Sequence, residues 1–482
     1  MKKTVVLYPG LSVSHFVPML QLADALLEAG YAVTVALIDP SLKGDIALAA
    51  VIDRVSCSKP SVVFHKLPRI QDPPTIVHDE NFIVRYLELV ARHHGHLHDL
   101  LVSMAPGSIH CLIVDMMSIE VLDVTDKLGI PVFAFFPMNA SVLAVSVQLV
   151  SSTRAEGQPA GFEEEGDTPQ IFYGVPPLPP SHLSDKLLGN PGSEAKKVRL
   201  NMMRRIQETK GILANTFVSL EARAVKGLGD PRWFPTMPPL YCVGPLVAGY
   251  SEATERHECL KWLDEQPDHS VVFLCFGSVG TGNHSEAQLK EIAAGLERSG
   301  HRFLWVVRAP SHDDLEKPSD PCADPDLDAL LPEGFLGRTN SRGRVVKLWA
   351  PQVEVLHHRA TGAFVTHCGW NSVLEGITAG VPMLCWPLYA EQKMNKVFMV
   401  EEYGVGVEMV GWQQGLVTAE EVEAKVRLVM ESEKGEQLRA QVMAHKEAAD
   451  MAWKDGGSSR AAFGKFLVDV HAGPGASTPL NY

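Results

Sequence analysis

Hydrophobic and polar residues follow the same order in both halves of the chain. The mostly apolar run Thr4–Tyr8 leads through a short polar loop into apolar residues at helical spacing. Gly30 is placed to end this helix as a left-handed cap, and a second apolar run, Ala32–Ile38, follows it. Strands that are apolar on both faces must be buried on both, so this strand–helix–strand order predicts a parallel sheet covered by helices.

Further apolar runs predict strands along the whole chain. These runs are Cys111–Val114, Pro131–Phe136, Val271–Phe276, Arg302–Val307, Arg344–Trp349 and Ala363–His367. Ser285 and Gln288 have capping-box spacing and predict a helix over Glu286–Arg298, while Thr418 and Glu421 predict a later one. The chain is therefore expected to form two α/β domains in tandem, with a junction where Gly and Pro cluster, in 242–251.

Composition narrows the class of protein. The chain has 482 residues, 46% of them hydrophobic, which is enough apolar material for two or three packed domains. Its formal net charge of −14 excludes a polyanion-binding surface, so neither nucleic acid nor an anionic membrane is an expected partner. No apolar run reaches the length of a membrane span. Polar residues, Pro and Gly interrupt the apolar run at the N-terminus, so we interpret it as a first strand rather than as a signal peptide. Eight cysteines without a C-x-x-C pair are typical of a cytoplasmic protein.

Polar residues stand directly after several predicted strands. His15, Asp115, Gly277-Ser278 and His367 all do so. Parallel sheets bind ligands at the carboxyl ends of their strands. Polar sites at strand ends in both halves therefore predict one ligand cleft between the two domains.

The stretch 349–392 contains the densest set of candidate binding residues. A loop with Gly369 leads into a helix that begins near Asn371 and Ser372, and the N–H groups of a helix N-terminus bind anions. Glu375, one turn into that helix, is suited to accepting hydrogen bonds from sugar hydroxyls. Trp349 offers a flat apolar face on which a base can stack. The stretch holds a single basic residue, so backbone and neutral groups would have to bind a diphosphate.

This stretch resembles the signature box of the plant secondary-product UDP-glycosyltransferases, the inverting family 1 enzymes with the GT-B fold. Phe276–Ser278 and His301–Arg308 extend the resemblance over nearly the whole chain. It implies two Rossmann-like parallel-sheet domains facing across a cleft. An N-terminal domain over 1–245 would bind the acceptor, and a C-terminal domain over 246–456 would bind the UDP-sugar. The C-terminal helix, near Ser458–Val470, and the tail over 457–482 would pack back on the first domain.

The resemblance also implies roles for the donor residues. Trp349 would stack on uracil, Gln352 would help to hold the nucleotide, and Glu375 would accept the ribose hydroxyls. The residues expected at the diphosphate are Ser278, His367, Asn371 and Ser372. The residues expected at the sugar are Trp370, Glu391 and Gln392. Trp370, together with Gln392 as the last residue of the stretch, favours glucose as the sugar of the donor, and galactose is the second choice.

The family's catalytic pair corresponds to His15 and Asp115. A hydroxyl is a poor nucleophile until a base removes its proton, and neutral imidazole is suited to that step. His15 lies near the start of a predicted helix, whose positive end disfavours the imidazolium. Asp115 would orient the ring and stabilise the imidazolium as it forms. The chain departs from the family pattern in carrying Ser14, rather than glycine, before the histidine.

The expected function is that of an inverting UDP-glucose-dependent O-glucosyltransferase acting on small phenolic, flavonoid-like acceptors. Candidate acceptor-wall residues are Phe82, Tyr86, Met116, Phe136 and Met138. UDP-glucose would be a co-substrate, with no cofactor and no metal, and the chain is expected to act as a monomer. The same residues would also serve transfer from UDP-galactose or the formation of C- and N-glycosides. A nucleotide-sugar sensor and a dehydrogenase are the competing classes, and the latter lacks its G-x-G-x-x-G fingerprint.

Two motifs that suggest metal binding have simpler interpretations. We interpret one cluster of histidines as the polar face of a helix; its members are His93, His94, His96 and His98. Asp324, Asp326 and Asp328 form D-x-D-x-D, but position 329 is Ala where a calcium loop needs Gly. This acidic segment is interpreted as a solvated surface loop.

Overall fold

The computed structural model describes residues 2–39, 46–76, 81–152, 166–183, 193–247, 256–277, 284–310 and 323–472. The chain divides into two compact units. The first comprises Met1–Ala248 together with Met451–Tyr482, and the second comprises Gly249–Asp450. Each unit is built on one sheet in which all neighbouring strands run parallel.

The first unit contains a seven-stranded sheet in the order β3-β2-β1-β4-β5-β6-β7. Its strands are β1 Thr4–Tyr8, β2 Ala32–Leu37, β3 Val62–Lys66, β4 Ile109–Asp115, β5 Val132–Phe136, β6 Ile212–Ala214 and β7 Leu240–Cys242. β1 and β5 are buried along their whole length, which is why the sequence shows them as continuous apolar runs.

Helices cover this sheet. They are α1 Val13–Glu28, α2 Ile46–Ser58, α3 Phe82–Ala91, α4 His94–Ser103, α5 Leu122–Leu128, α6 Ala140–Ser152, α7 Glu194–Arg205 and α8 Ala222–Leu228. Short 3₁₀ turns occupy Met116–Val121, Pro180–His182 and Ile206–Glu208. α1 ends just before Gly30, whose φ of 89° is the left-handed conformation predicted for it.

The second unit contains a six-stranded sheet in the order β10-β9-β8-β11-β12-β13. Its strands are β8 Val271–Cys275, β9 Arg302–Val307, β10 Gly343–Lys347, β11 Thr361–Thr366, β12 Met383–Cys385 and β13 Gly406–Glu408. Its helices are α9 Glu258–Asp264, α10 Glu286–Ser299, α11 Leu327–Leu330, α12 Phe335–Thr339, α13 Gln352–Leu356, α14 Trp370–Ala379, α15 Gln392–Val397, α16 Ala419–Glu431 and α17 Glu433–Ala452. A π turn covers Phe398–Glu402 and a 3₁₀ turn Trp412–Gln414. The core between sheet and helices includes Val272, Phe303, Trp305 and Val365, all nearly or fully buried.

The last helix, α18 (Ser458–Ala472), belongs to the first unit. Its Phe466 packs against Phe133 and Tyr241, with ring centroids 4.9 and 5.7 Å away. The hydroxyl of Tyr241 donates to Asp469 Oδ2 at 2.6 Å. The C-terminal helix thus completes the cover of the N-terminal sheet at β7.

Candidate active site

His15 and Asp115 meet at the carboxyl edge of the first sheet. β1 and β4 are parallel neighbours, with Tyr8 opposite Val114, so their ends lie side by side. Asp115 is the last residue of β4. α1 begins at Val13, which places His15 in its first turn. The two residues are 100 positions apart in sequence, and the parallel register brings them together.

The imidazole and the carboxylate are hydrogen bonded. His15 Nδ1 lies 2.9 Å from Asp115 Oδ2 and 3.0 Å from Oδ1. Asp115 is fully buried, and 21% of the His15 side chain is exposed. Met117 N donates to Asp115 Oδ1 at 2.8 Å, which holds the carboxylate in place. Because the carboxylate accepts the Nδ1 proton, the neutral ring carries its lone pair on Nε2, as a general base requires.

The loop that leads to His15 is packed tightly against this pair. A Cβ at Gly10 would lie 2.7 Å from Asp115 Oδ1, so only glycine fits there. Leu11 N donates to the hydroxyl of Tyr86 at 2.9 Å. Burial is the main cause that raises the pKa of Tyr86, and the nearby Asp115 carboxylate adds to it.

The five predicted acceptor-wall residues differ in exposure. Tyr86, Phe136 and Met116 are buried, with exposed fractions of 2%, 0% and 7%. Phe82 and Met138 are half-buried. The hydroxyl of Tyr86 is engaged with Leu11 N, so Phe82 and Met138 are the better placed of the five to contact an acceptor.

The second unit presents a loop and a helix N-terminus at the end of β11. His367, Cys368 and Gly369 separate β11 from α14, and Gly369 is the N-cap residue without a side-chain cap. Cys368 has a φ of 63°, an unusual value for a residue with a Cβ. Asn395 Nδ2 donates to its carbonyl at 2.9 Å, and both side chains are fully buried. Asn395 was not singled out by the sequence analysis, because nothing in the chain's local pattern links it to position 368.

His367 lies between two glycines. A Cβ at Gly277 would approach its Nε2 to 2.8 Å, and one at Gly369 would come closer still. Its Nδ1 is buried and has no hydrogen-bond partner among the described residues. Burial lowers the pKa of His367 to about 4, so the ring is neutral at physiological pH. The ring can therefore bind an anion as a hydrogen-bond donor but not as a cation.

Gln352, Ser372 and Glu375 form one hydrogen-bonded group between α13 and α14. Gln352 Nε2 donates to Ser372 Oγ at 2.9 Å and to Glu375 Oε2 at 2.5 Å. Burial raises the pKa of Glu375 to about 7, and the bond from Gln352 opposes that rise. The bonds bring Gln352 and Glu375, which are predicted at the nucleoside, next to Ser372, which is predicted at the diphosphate.

Trp349 is half exposed, with 52% of its surface accessible. Leu348 turns the chain with a φ of 65°, and Trp349 N donates to Lys347 O at 2.7 Å. The turn ends β10 two residues earlier than predicted and presents the indole to solvent.

The residues predicted at the sugar lie on α14 and at the start of α15. Trp370 is 3% exposed, so most of its ring is packed in the core. Gln392 Oε1 accepts from Leu388 N at 2.9 Å and from Tyr389 N at 2.8 Å. Glu391 precedes it as the N-cap residue of α15 and is half-buried, as is Asn371 on α14.

Two arginines near the predicted donor residues have different surroundings. Arg359, the basic residue of the stretch 349–392, binds Asp268 and the carbonyls of Gln266 and Asp264. Arg308 instead lines a pocket with Gly277 at the ends of β8 and β9. Its charge lowers the pKa of Tyr389 against the larger effect of burial. Arg308 is the last residue of the run His301–Arg308, which carries part of the family resemblance.

Ser278, one of the residues predicted at the diphosphate, lies outside the described ranges. Within them, no group of three or more His, Cys, Asp and Glu side chains is arranged to hold a metal ion. Among the helices of these ranges, none combines the length and apolar character needed to cross a bilayer.

Two α/β units with parallel sheets, a helix N-terminus at a strand end and the His15–Asp115 pair are the features expected of a glycosyltransferase with the GT-B fold. The family model described as "UDP-glucoronosyl and UDP-glucosyl transferase" matches residues 224–447. An anthocyanidin 5,3-O-glucosyltransferase from a Rosa hybrid cultivar is 40% identical over 475 residues, covering 96% of this chain and 97% of the relative. The chain therefore belongs to the UDP-glycosyltransferase family, which confirms the predicted family, fold class and enzyme class.

Two other relatives are similar over nearly their full length. A phloretin 2'-O-glucosyltransferase from Pyrus communis is 36% identical, covering 98% of this chain and all of the relative. The crystal structure of Medicago truncatula UGT71G1 complexed with UDP-glucose superposes with a TM-score of 0.83 at 30% identity. That comparison covers 97% of this chain and 98% of the solved one.

Proposed function

We propose that the chain transfers glucose from UDP-glucose to a hydroxyl of a small phenolic acceptor, with inversion at the anomeric carbon. The observation that carries this proposal is the hydrogen bond of 2.9 Å between His15 Nδ1 and the buried Asp115 carboxylate. It leaves Nε2 as the basic atom of a partly exposed ring. The relatives that act on an anthocyanidin and on phloretin support a phenolic acceptor.

In the proposed reaction His15 Nε2 takes the proton of the acceptor hydroxyl. The acceptor oxygen attacks the anomeric carbon of glucose, and the bond from that carbon to UDP breaks. UDP leaves with the electron pair, so an α-linked donor gives a β-linked product. Asp115 stabilises the imidazolium formed in this step. A single displacement needs no glycosyl–enzyme intermediate and no nucleophilic carboxylate.

The donor residues of the second unit would bind UDP-glucose in three parts. Trp349 would stack on uracil, and Gln352 and Glu375 would bind the ribose. The N-terminus of α14, with His367, Asn371 and Ser372, would hold the diphosphate. Trp370, Glu391 and Gln392 would contact glucose. This assignment is supported by the Gln352–Ser372–Glu375 group and by the close packing of Gly277 and Gly369 on the His367 ring.

The remaining expectations belong to the same proposal. Residues 1–245 would bind the acceptor, residues 246–456 the donor, and residues 457–482 would support the first domain. The enzyme would act as a monomer in the cytoplasm and without a metal ion. The seven cysteines of the described ranges are all free thiols, which suits a reducing compartment. Full activity after treatment with EDTA would support metal independence.

Replacing the base tests the mechanism directly. We expect His15→Ala to abolish glucosyl transfer and to leave the affinity for UDP unchanged, because the donor residues lie in the other unit. Asp115→Asn should lower kcat roughly a hundredfold to ten-thousandfold, since the ring loses its orienting acceptor. Asp126→Asn, an exposed change on α5, is the matched control. Transfer by His15→Ala at the parent rate would show that His15 is not the base.

A grid of UDP-sugars against acceptors tests the substrates. We expect transfer from UDP-glucose to phenols, with a β-O-glucoside as product identified by mass and NMR. Transfer from UDP-galactose alone would overturn the sugar assignment, and a C- or N-glycoside would overturn the linkage. Tight binding of UDP-glucose with no transfer to any phenol would favour a nucleotide-sugar sensor.

A further inference from the structure

His257 lies against Trp349, although it belongs to neither the signature stretch nor the catalytic pair. The two ring centroids are 5.8 Å apart and the ring planes meet at 78°, which is an edge-to-face contact. His257 precedes α9, and Trp349 follows β10, so the contact joins two separate segments of the second unit. Local sequence pattern does not predict such a contact.

The orientation of the His257 ring is fixed from its other side. His257 is the N-cap residue of α9, and its Nδ1 accepts a hydrogen bond from Cys259 N at 3.3 Å. The backbone carbonyl of His257 accepts the first helical bond, from Leu260 N at 3.0 Å. Arg344 Nη2 on β10 donates to Glu258 Oε2 at 2.9 Å and joins α9 to the strand that leads to Trp349.

A neighbour that restricts the Trp349 side chain lowers the entropy cost of binding a base. Half of the Trp349 surface is exposed, and an exposed indole retains rotamer freedom that must be lost when a base stacks on it. A ring already fixed by a helix cap and packed against the indole reduces that freedom before the ligand arrives. Because 52% of Trp349 stays exposed with His257 in contact, indole surface remains available for stacking.

We propose that His257 is a positioning residue for uridine nucleotides, whose ring holds Trp349 in the orientation that stacks on uracil. This inference rests on the proposed role of Trp349 in binding UDP-glucose. It predicts an effect on donor affinity and none on the chemical step. The effect should be the same for UDP and UDP-glucose, because both present the same base.

Two substitutions separate the ring of His257 from its capping function. His257→Asn keeps a side-chain acceptor at the N-cap but removes the ring. We expect it to raise the KM for UDP-glucose and the Kd of UDP roughly threefold to tenfold, the range for losing one aromatic pair. The kcat at saturating UDP-glucose and the KM for the acceptor should not change. His257→Phe keeps a ring and should restore the affinity, although it loses the cap and lowers the Tm.

Isothermal titration with UDP and steady-state kinetics measure these effects, with His98→Asn, an exposed change in the first unit, as the control. Unchanged UDP affinity in His257→Asn would overturn the proposal. Equal losses of affinity in His257→Asn and His257→Phe would also overturn it, because the cap would then be responsible. Trp349→Ala distinguishes the premise from the inference. If Trp349→Ala binds UDP normally, the stacking role of Trp349 itself fails.

Discussion

Glu375 combines a shifted pKa with a proposed contact to the ligand. Burial raises its pKa to about 7, above the ordinary value of 4.5, so the folded protein keeps a proton that the unfolded chain releases. Stability of the unliganded protein should therefore fall as the pH rises from about 4.5 to about 7. Glu375→Gln should remove this part of the pH dependence, which urea unfolding at several pH values measures.

The same group should make donor binding depend on pH. A carboxylate accepts hydrogen bonds from ribose hydroxyls more strongly than a protonated carboxyl does. We expect UDP-glucose to bind roughly fivefold more weakly at pH 6 than at pH 8, as measured by calorimetry without acceptor. UDP-glucose is the suitable probe because its diphosphate does not titrate in this range. A similar pH dependence in Glu375→Gln would show that another group is responsible.

At the scale of single elements, helix caps show what spacing does and does not determine. Ser285 caps α10 as predicted, accepting from Gln288 N at 3.2 Å. The Gln288 side chain does not return to Ser285 as a capping box requires. It donates to Val417 O and accepts from Val417 N, both at 2.8 Å. Glu421 likewise accepts from Val410 N rather than closing a box with Thr418.

Ser285 only caps α10, whereas Gln288 binds both backbone groups of Val417, so replacing each should lower the free energy of unfolding by a different amount. Gln288 is 4% exposed, so its replacement by Met would leave two buried backbone groups of Val417 without their partner. We expect Gln288→Met to lower the free energy of unfolding by about 2 to 4 kcal/mol. Ser285→Ala, which removes only the cap, should cost about 1 kcal/mol. Chemical denaturation measures both, and equal costs would contradict the role given to Gln288.

Strand prediction from the pattern was accurate where burial is continuous and failed where strands are short. β1 and β9 have the predicted bounds. The prediction for β10 was too long, because the left-handed Leu348 turns the chain after Lys347. β6, β7 and β13 were not predicted, since three residues are too few to show a period. Their places in the two sheets are set by pairing with neighbouring strands.

For the whole molecule, the sign of the net charge is unfavourable for binding the proposed donor. The chain carries a formal net charge of −14, and the donor proposed for it is an anion. The α14 N-terminus and the neutral His367 would meet the diphosphate locally, and Arg308 adds a cation at the same sheet edge. Net charge excludes polyanionic partners without excluding a small anion that fixed dipoles can bind.

Because the chain divides into two units, stabilisation by UDP tests whether the donor site lies in the second unit. Every donor residue of the proposal belongs to Gly249–Asp450. UDP at a hundred times its Kd should stabilise the protein by about 2.7 kcal/mol. Hydrogen exchange should show the largest gain in protection over 361–379, and the gain should persist in His15→Ala. Protection confined to the first unit would contradict the assignment of the donor site.

From the amino-acid sequence, the apolar pattern predicts the fold class, and the resemblance to known enzymes predicts the family and the residues of the site. Continuous apolar runs indicate buried parallel strands, and polar residues directly after them mark the sheet edge where ligands bind. These features are local, so a single pass along the chain can detect them. The sequence could also pair His15 with Asp115, but only through resemblance to known enzymes.

Tertiary structure decided which side chains share partners. The His15–Asp115 distance, the Asn395 bond to Cys368 and the packing of His257 on Trp349 all join residues distant in sequence. The tertiary structure also shifts the pKa values of His367 and Glu375, because the desolvation of each group depends on all the atoms that surround it. Local pattern predicts where the chain bends and which face it buries, whereas proximity between separate elements is a property of the folded chain alone.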